Sequence, residues 1–295
     1  MLQDSILIKV ARKSFRYVQW KKHIRKYDKS KWYFILKYGI GDAYLVCCLL
    51  NHYRIKNEDF VLIFEKENQA NIPKLFFEEE ISYVDKDIPY LLINEFGKQV
   101  KGIPIILHPY HLNPQIAEFI GYNNVTLIDI YKLLLKIDLN YKPDNKLLPF
   151  KNIHSESSKN KILLCPEANS IETISLEFWL SLANRIKEKG YLPVFMRTEN
   201  VADYEIIDFE IQDAISIGNS FYGIISLRSG FCDLISTCSA KKIIIYPDIK
   251  WYSGKLIDGT SLINMDLCVN DNNLLEIVLS ANNVEKVHDE ILKFI

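Results

Sequence analysis

The stretch Lys37-Tyr38-Gly39-Ile40-Gly41-Asp42-Ala43-Tyr44-Leu45-Val46-Cys47-Cys48-Leu49-Leu50 decides how the chain is read. It follows Trp32-Tyr33-Phe34-Ile35-Leu36, an aromatic and β-branched run that predicts a strand over Trp32–Lys37. Two glycines flank one isoleucine, an acid follows, and a mostly apolar run then predicts a helix over Asp42–Tyr53. Glycines at a strand-to-helix handover let the backbone turn sharply and let a ligand approach it closely. Asp42 at the helix start is a good N-cap. Capping explains the acid without any chemistry.

Working outward, the pattern of strand followed by helix repeats. Phe60–Phe64 reads as a second strand, Ile72–Phe77 as lying near a short helix, and Ile103–Leu107 as a strand stopped by His108-Pro109-Tyr110-His111. Ile81–Val84 and Tyr90–Ile93 are short apolar runs, and 114–120 and 127–135 look helical. From Asp138 to Lys159 the pattern lapses into a polar stretch with Pro143 and Pro149, which reads as a linker. A second alternating half follows: a strand at Lys161–Cys165, a helix at Ser175–Lys189 ended by Gly190, and strands at Leu192–Met196, Tyr222–Leu227 and Ile243–Tyr246. A helix is expected to start at Gly230, and the tail Asn272–Ile295 looks helical. Strands alternating with helices imply mostly parallel sheets. The expected organisation is a basic segment over 1–31, a Rossmann-like domain over 32–140, a linker over 141–160 and a second Rossmann-like domain over 161–295. Ligands bind such sheets beyond the carboxyl ends of their strands.

The bulk numbers agree with this. A chain of 295 residues suits two domains, and 48% hydrophobic with 25% charged residues is ordinary for a globular protein. Six cysteines lie mostly in apolar runs and form no CxxC, so they read as reduced thiols in a cytoplasmic protein, with no zinc-ligand spacing and no metal site expected. No secretory leader is recognisable, and no run of about 18 apolar residues suggests a membrane span.

The net charge of −1 conceals an asymmetry. Residues 1–31 hold ten Lys or Arg against Asp4 and Asp28, a net +8 that leaves −9 for the remainder. Ile6, Val10, Phe15, Val18 and Trp20 interleave with these bases. This is the composition of an amphipathic helix at an anionic membrane surface. It equally suits a solvated helix that packs its apolar stripe on the protein itself. Nucleic acid is disfavoured, because the rest of the chain is acidic and carries no recognition motif.

Two further junctions carry candidate chemistry. Cys165-Pro166-Glu167-Ala168-Asn169-Ser170 places small and polar residues after a buried strand, as a ligand-facing loop or an ordinary βα connection would. Ser226-Leu227-Arg228-Ser229-Gly230-Phe231-Cys232-Asp233 ends a strand in Ser-Leu-Arg and opens a helix with Ser-Gly. Free amides at a helix start favour phosphate, Gly230 removes a side chain at the point of approach, and Arg228 supplies a charged fork. His108 and His111 stand after a first-half strand, near the expected cleft. Tyr246, Pro247, Asp248 and Trp251 follow the strand Ile243–Tyr246 and are candidates to frame a base. Lys250 and Lys255 have no spacing argument behind them.

These three junctions, in this order, resemble those of the GT-B glycosyltransferases, in particular the heptosyltransferase-like, family 9-like transferases of bacterial surface polysaccharides. That family opens with a strand and a Gly-hydrophobic-Gly-Asp turn, as Gly39-Ile40-Gly41-Asp42 does. It begins its second domain with a strand, a Pro-containing loop and a helix followed by Gly-aromatic, as Leu164-Cys165-Pro166 through Gly190-Tyr191 does. It closes the donor site with a strand, a Ser/Thr-Gly turn and a helix, then a strand ending near Pro, as Ile225–Leu234 and Ile243–Pro247 do. The resemblance spans roughly residues 32 to 250. It implies two facing Rossmann-like domains and metal-independent transfer of a sugar from a nucleotide-diphosphate donor, with no other cofactor, to a glycan or lipid-linked acceptor. Asp42 would be the general base. Arg228, Ser229, Gly230, Pro166, Glu167 and Asn169 would hold the donor, and Gly39, Gly41, His108 and His111 would lie on the acceptor side. Three departures argue against ADP-heptose as the donor: Arg228 stands where the family has an acid, Asp233 where it has a His, and the second motif lacks the family's usual basic or glycine-rich phosphate contact.

Other readings stay open. A sugar-nucleotide epimerase or a pyruvyl transferase also uses facing α/β domains, and fold alone does not decide chemistry. An inactive, transferase-like scaffold is a further reading. A Rossmann dehydrogenase is disfavoured, since Leu45 stands where a third glycine would be, and no P-loop is present.

Overall fold

A computed structural model describes residues 6–37, 39–108, 125–149, 158–169, 171–201, 203–251, 254–268 and 271–295. The first half contains α1 (Ile6–Ile24), β1 (Trp32–Leu36), α2 (Ile40–Ile55), β2 (Phe60–Phe64), α3 (Glu67–Ala70), β3 (Ser82–Val84), α4 (Tyr90–Phe96), β4 (Pro104–Ile106) and α5 (Leu127–Leu134). The second contains β5 (Ser158–Cys165), α6 (Leu176–Glu188), β6 (Leu192–Met196), β7 (Glu205–Ile207), α7 (Ala214–Ser220), β8 (Phe221–Leu227), α8 (Gly230–Leu234) and β9 (Lys241–Pro247). A small hairpin follows, β10 (Lys250–Trp251) with β11 (Gly254–Lys255), then α9 (Leu256–Thr260), β12 (Leu274–Leu279) and α10 (Val284–Phe294).

Two wholly parallel sheets result. The first has the order β3-β2-β1-β4, the second β12-β9-β8-β5-β6-β7. In each, the chain starts at a central strand, winds outward on one side, then returns to wind the other way. This is the Rossmann-like arrangement expected from the alternating pattern. Each sheet therefore has a switch point, where successive loops leave in opposite directions and a crevice opens. In the first it lies between β1 and β4, in the second between β5 and β8.

Period-two alternation assigns the faces. Phe34 and Leu36 of β1 turn toward α2, while Tyr33 and Ile35 turn toward Trp20 and Tyr27 of the N-terminal segment and Ile93 of α4. Leu163, Ile224 and Ile244 of the second sheet turn toward the first unit; Ile162, Leu164, Ile225 and Ile245 turn toward α6 and α10. One continuous apolar core thus joins both sheets, with α2 in its middle. That explains why α2 reads as apolar all round: Ala43 through Leu50 are all buried.

The structure corrects one expectation. The tail is not helical throughout, because Leu274–Leu279 forms β12 and pairs with β9 before α10 begins. Short apolar runs do not distinguish a strand from a helix by period. The described part of the stretch read as a linker is bonded to both halves. Asp144 N–H donates to Cys48 O at 2.8 Å, Leu148 N–H to Leu75 O at 2.8 Å, and the Asn145 side chain to Leu267 O at 2.7 Å. Ile72–Leu75 is a 3₁₀ turn, with Pro73 in its first turn, directly after the short helix α3. The helix expected over 114–120 lies outside the described residues. Gly190 ends α6 at φ +91°, a left-handed conformation that favours glycine. Among the described residues no helix is long and apolar enough to cross a membrane.

His288 of α10 is fully buried, its ring 4.6 Å from that of Phe178 on α6. Burial, with the nearby charge of Arg185, lowers its pKa below the ordinary value. The unfolded chain therefore takes up a proton there before the folded one does. His288 contributes fully above about pH 6.5, and this is lost as pH falls toward the depressed value. Thermal unfolding followed from neutral pH to about pH 5.5 should show a falling midpoint, with a flatter profile for His288→Phe.

Candidate active site

The two switch points meet. Gly41, in the first turn of α2, and Gly230, the first residue of α8, pack backbone against backbone. A Cβ on Gly41 would lie 2.6 Å from Gly230 Cα and 2.5 Å from Asp233 Oδ2, and one on Gly230 only 2.5 Å from Gly41 N. Neither position has space for a side chain. A second bridge between the units joins the Tyr44 hydroxyl and Ser236 Oγ at 3.3 Å.

Asp42 sits beside this contact. Gly39 caps α2, and its N–H donates to Asp42 Oδ2 at 2.8 Å, so the capping role read from the sequence is present. It runs as a reach-back from the third helical residue, with Gly39 at the N-cap position itself. The other carboxylate oxygen, Oδ1, accepts from the Tyr131 hydroxyl of α5 at 2.5 Å. Burial raises the Asp42 pKa, while Tyr131, the Gly39 amide and the charge of Arg228 restrain it. Sequence reasoning missed Tyr131. A Tyr on an apolar helix face signals a buried ring whose hydroxyl needs a partner, but not which partner.

Arg228 points inward. Its Nε donates to Thr260 O at 2.9 Å and its Nη2 to Asp233 Oδ1 at 2.8 Å, and Nη1 reaches Ser229 O and Asp233 Oδ2. Both charged side chains are almost completely enclosed. The expectation of an open fork for phosphate is corrected: desolvation at this strand end requires a fixed partner, and Asp233 supplies it. Burial pushes the Asp233 carboxyl up to about 6 against the pull of Arg228, with Asp42 and Glu276 adding to the rise. Asp42 and Asp233 thus feel each other across the contact, with Arg228 between their fields.

The remaining candidates divide by place. Pro166 is buried at the end of β5, while Glu167 and Asn169 are exposed on the loop beyond it. Ser229 caps α8 and is half-buried, its N–H directed at Cys232 Sγ. His108 is buried just beyond β4, on the crevice side of the first sheet. His111 lies outside the described residues. The first switch point therefore gathers Gly39, Gly41, Asp42 and His108, and the second gathers Pro166, Glu167, Asn169, Arg228, Ser229 and Gly230. Tyr246 serves packing: it is fully buried and donates to Glu276 and to Thr260 O. Trp251 packs so closely on Gly259 that a Cβ there would overlap its ring, and Lys255 pairs with Asp248 at 3.2 Å. Among the described residues no cluster of His, Cys, Asp and Glu has the arrangement of a metal site.

Solved structures share this fold. The chain is similar to Escherichia coli ADP-heptose LPS heptosyltransferase II, with a TM-score of 0.59 and 10% identity over 90% of this chain and 98% of that one. It is similar to E. coli heptosyltransferase WaaC with ADP, with a TM-score of 0.55 and 10% identity over 89% of this chain and 100% of that one. A family 9 glycosyl transferase from Veillonella parvula gives 0.52 and 11% identity over 91% and 92%. No family model and no curated protein matches the chain. The fold is that of the heptosyltransferase-like transferases which the three junctions resemble.

Two outcomes follow for the contact. Gly41→Ala should destabilise the protein by about 1–3 kcal/mol through overpacking, and small-angle scattering should show a larger radius as the units are forced apart. Arg228→Ala should cost about 3–5 kcal/mol in urea unfolding, because it leaves Asp233 buried without its partner.

Proposed function

We propose that the protein is a glycosyltransferase that moves a sugar from a nucleotide-diphosphate donor to a growing surface glycan, of the lipopolysaccharide or capsule type, on a lipid-linked acceptor. The observation that carries this reading is the meeting of two Rossmann-like switch points at one carboxylate, in a fold shared with heptosyltransferases. The donor is assigned to the second switch point, with its diphosphate near Ser229 and Gly230 and its sugar or ribose near Glu167 and Asn169, beside Pro166. The acceptor is assigned to the first, near Gly39 and His108.

In this reading Asp42 takes the proton from the acceptor hydroxyl as that oxygen attacks the anomeric carbon, and the nucleoside diphosphate departs with the electron pair of the broken bond. A carboxylate raised by burial is a stronger base than one in water, while Tyr131 orients it. Arg228 acts as a positioning residue that holds Asp233 and offsets its charge, and the backbone amides at the start of α8 are assigned to the departing diphosphate. Transfer is assigned to fixed protein charge without a metal, and chelation by EDTA should leave the rate unchanged. The donor sugar differs from that of the heptosyltransferases in this proposal, because Arg228 and Asp233 replace the acid and His of that family's third motif.

One observation favours a second reading, a transferase-like scaffold without turnover. The Gly41–Gly230 contact covers the very backbone to which a diphosphate is assigned, and Arg228 is already engaged. Titration with UDP, GDP, ADP, dTDP and CMP separates the two. Binding of one diphosphate supports the transferase, and binding of none favours the scaffold. An epimerase would convert its nucleotide sugar with no acceptor present.

Asp42→Asn should lower kcat by about 10²–10⁴-fold and leave diphosphate binding intact. With wild-type protein the rate should rise with pH through the raised Asp42 pKa and level off above it, since only the deprotonated form is a base.

A further inference from the structure

Helix α1 carries two apolar stripes, and only one is used. Tyr17, Trp20 and Ile24 face the protein: Trp20 is buried, Ile24 packs beside it, and Tyr17 meets Phe96 of α4 edge-on at 5.6 Å. Arg16 adds an ion pair to Glu95 at 2.8 Å on the same side. The second stripe is Ile8, Ala11, Phe15 and Val18, spaced three, four and three residues apart, so it forms one continuous row. Helical phase places it on the side away from Trp20. Phe15 is 64% exposed and Val18 65%, and Ile8 and Ala11 are exposed as well.

Bases continue this second stripe. Lys22 extends the row one turn after Val18 and Arg25 follows beside it, both exposed, while Lys9 and Lys13 are exposed on the other side of the helix. Asp28 is the only acid among residues 6–31, and its carboxylate is engaged by the Ser30 backbone and hydroxyl. The row has the spacing of a coiled-coil seam, but pairing two copies would bring together two segments that each carry a net +8. The charge instead matches an anionic surface, and the apolar row matches the acyl boundary just below it. Lysine and arginine stems can lie along that boundary with their charges at headgroup level.

We propose that the outward face of α1 docks the protein on an anionic lipid bilayer, with Phe15 and Val18 inserted and Lys22 and Arg25 on lipid phosphates. The inward stripe fixes the helix to the first sheet, so the bilayer is held by the same body that carries Asp42. This proposal goes beyond the transferase reading and does not depend on it, because docking is measured with no nucleotide or acceptor present.

The test is co-sedimentation of the full chain with vesicles of phosphatidylcholine alone or mixed with phosphatidylglycerol. The protein should pellet with the mixed vesicles, release at high salt, and stay in solution with phosphatidylcholine alone. Phe15→Ser with Val18→Ser should weaken partitioning at least about tenfold, since two apolar side chains no longer insert. Lys22→Gln and Arg25→Gln should weaken it about fivefold each. All four positions are exposed, so an unchanged thermal midpoint shows that the variants fold. Three results overturn the proposal: no binding to mixed vesicles, equal binding to both kinds, or a dimer in solution that the Phe15 and Val18 substitutions dissolve.

Discussion

The approach of Gly41 to Gly230 sets the distance between the two sheets, and much of the molecule follows from it. At that separation α2 is enclosed on every side, which is why ten residues of its sixteen are buried. The core on the inner face of each sheet merges into one. A single methyl group at either glycine would meet backbone, which cannot yield as a flexible side chain can. The constraint is steric, and it rests on the two residue positions with no side chain to remove.

Bringing two helix starts together also concentrates charge. Each start exposes unpaired amides and the positive end of its dipole. Asp42 and Asp233 answer that field, and Arg228 limits the repulsion between them. Enclosure then makes every member depend on the others. Tyr131 and the Gly39 amide hold Asp42, Asp233 holds Arg228, and Thr260 O takes the remaining guanidinium edge. Such a network is costly to leave half made. Its raised carboxyls are of the kind that proton-transfer sites use.

Most of the fold was legible because parallel strands buried on both faces have a strong pattern. Trp32–Leu36, Phe60–Phe64 and Lys161–Cys165 are apolar runs bounded by turn signals, and the glycines at 39, 41 and 230 mark the handovers. The strand Leu274–Leu279 was missed because a six-residue stretch, apolar but for Glu276, has no clear period of its own next to a helix. At the site, the positions of the junctions were readable but the partners were not. Arg228 and Asp233 are five residues apart in sequence, and nothing in that spacing says that one strand end and the next helix will bury them as a pair. Tyr131 reaches Asp42 across 89 positions, a contact that only the packing of α5 on α2 creates. For α1 the structure shows one stripe packed on the protein, as the second reading of its composition has it, and leaves another exposed.

The segment between the sheets joins neighbours in the chain to different bodies. Asp144 is bonded to Cys48 and Asn51 of α2, and Asn145, the next residue, to Leu267 beside the second sheet. These bonds add a third tie between the bodies, beside the Gly41–Gly230 contact and the Tyr44–Ser236 bridge. A relative rotation has to break the Asn145 bond, while Asp144 and Leu148 stay moored to the first body. The hinge of that rotation would then fall at the single peptide unit between Asp144 and Asn145.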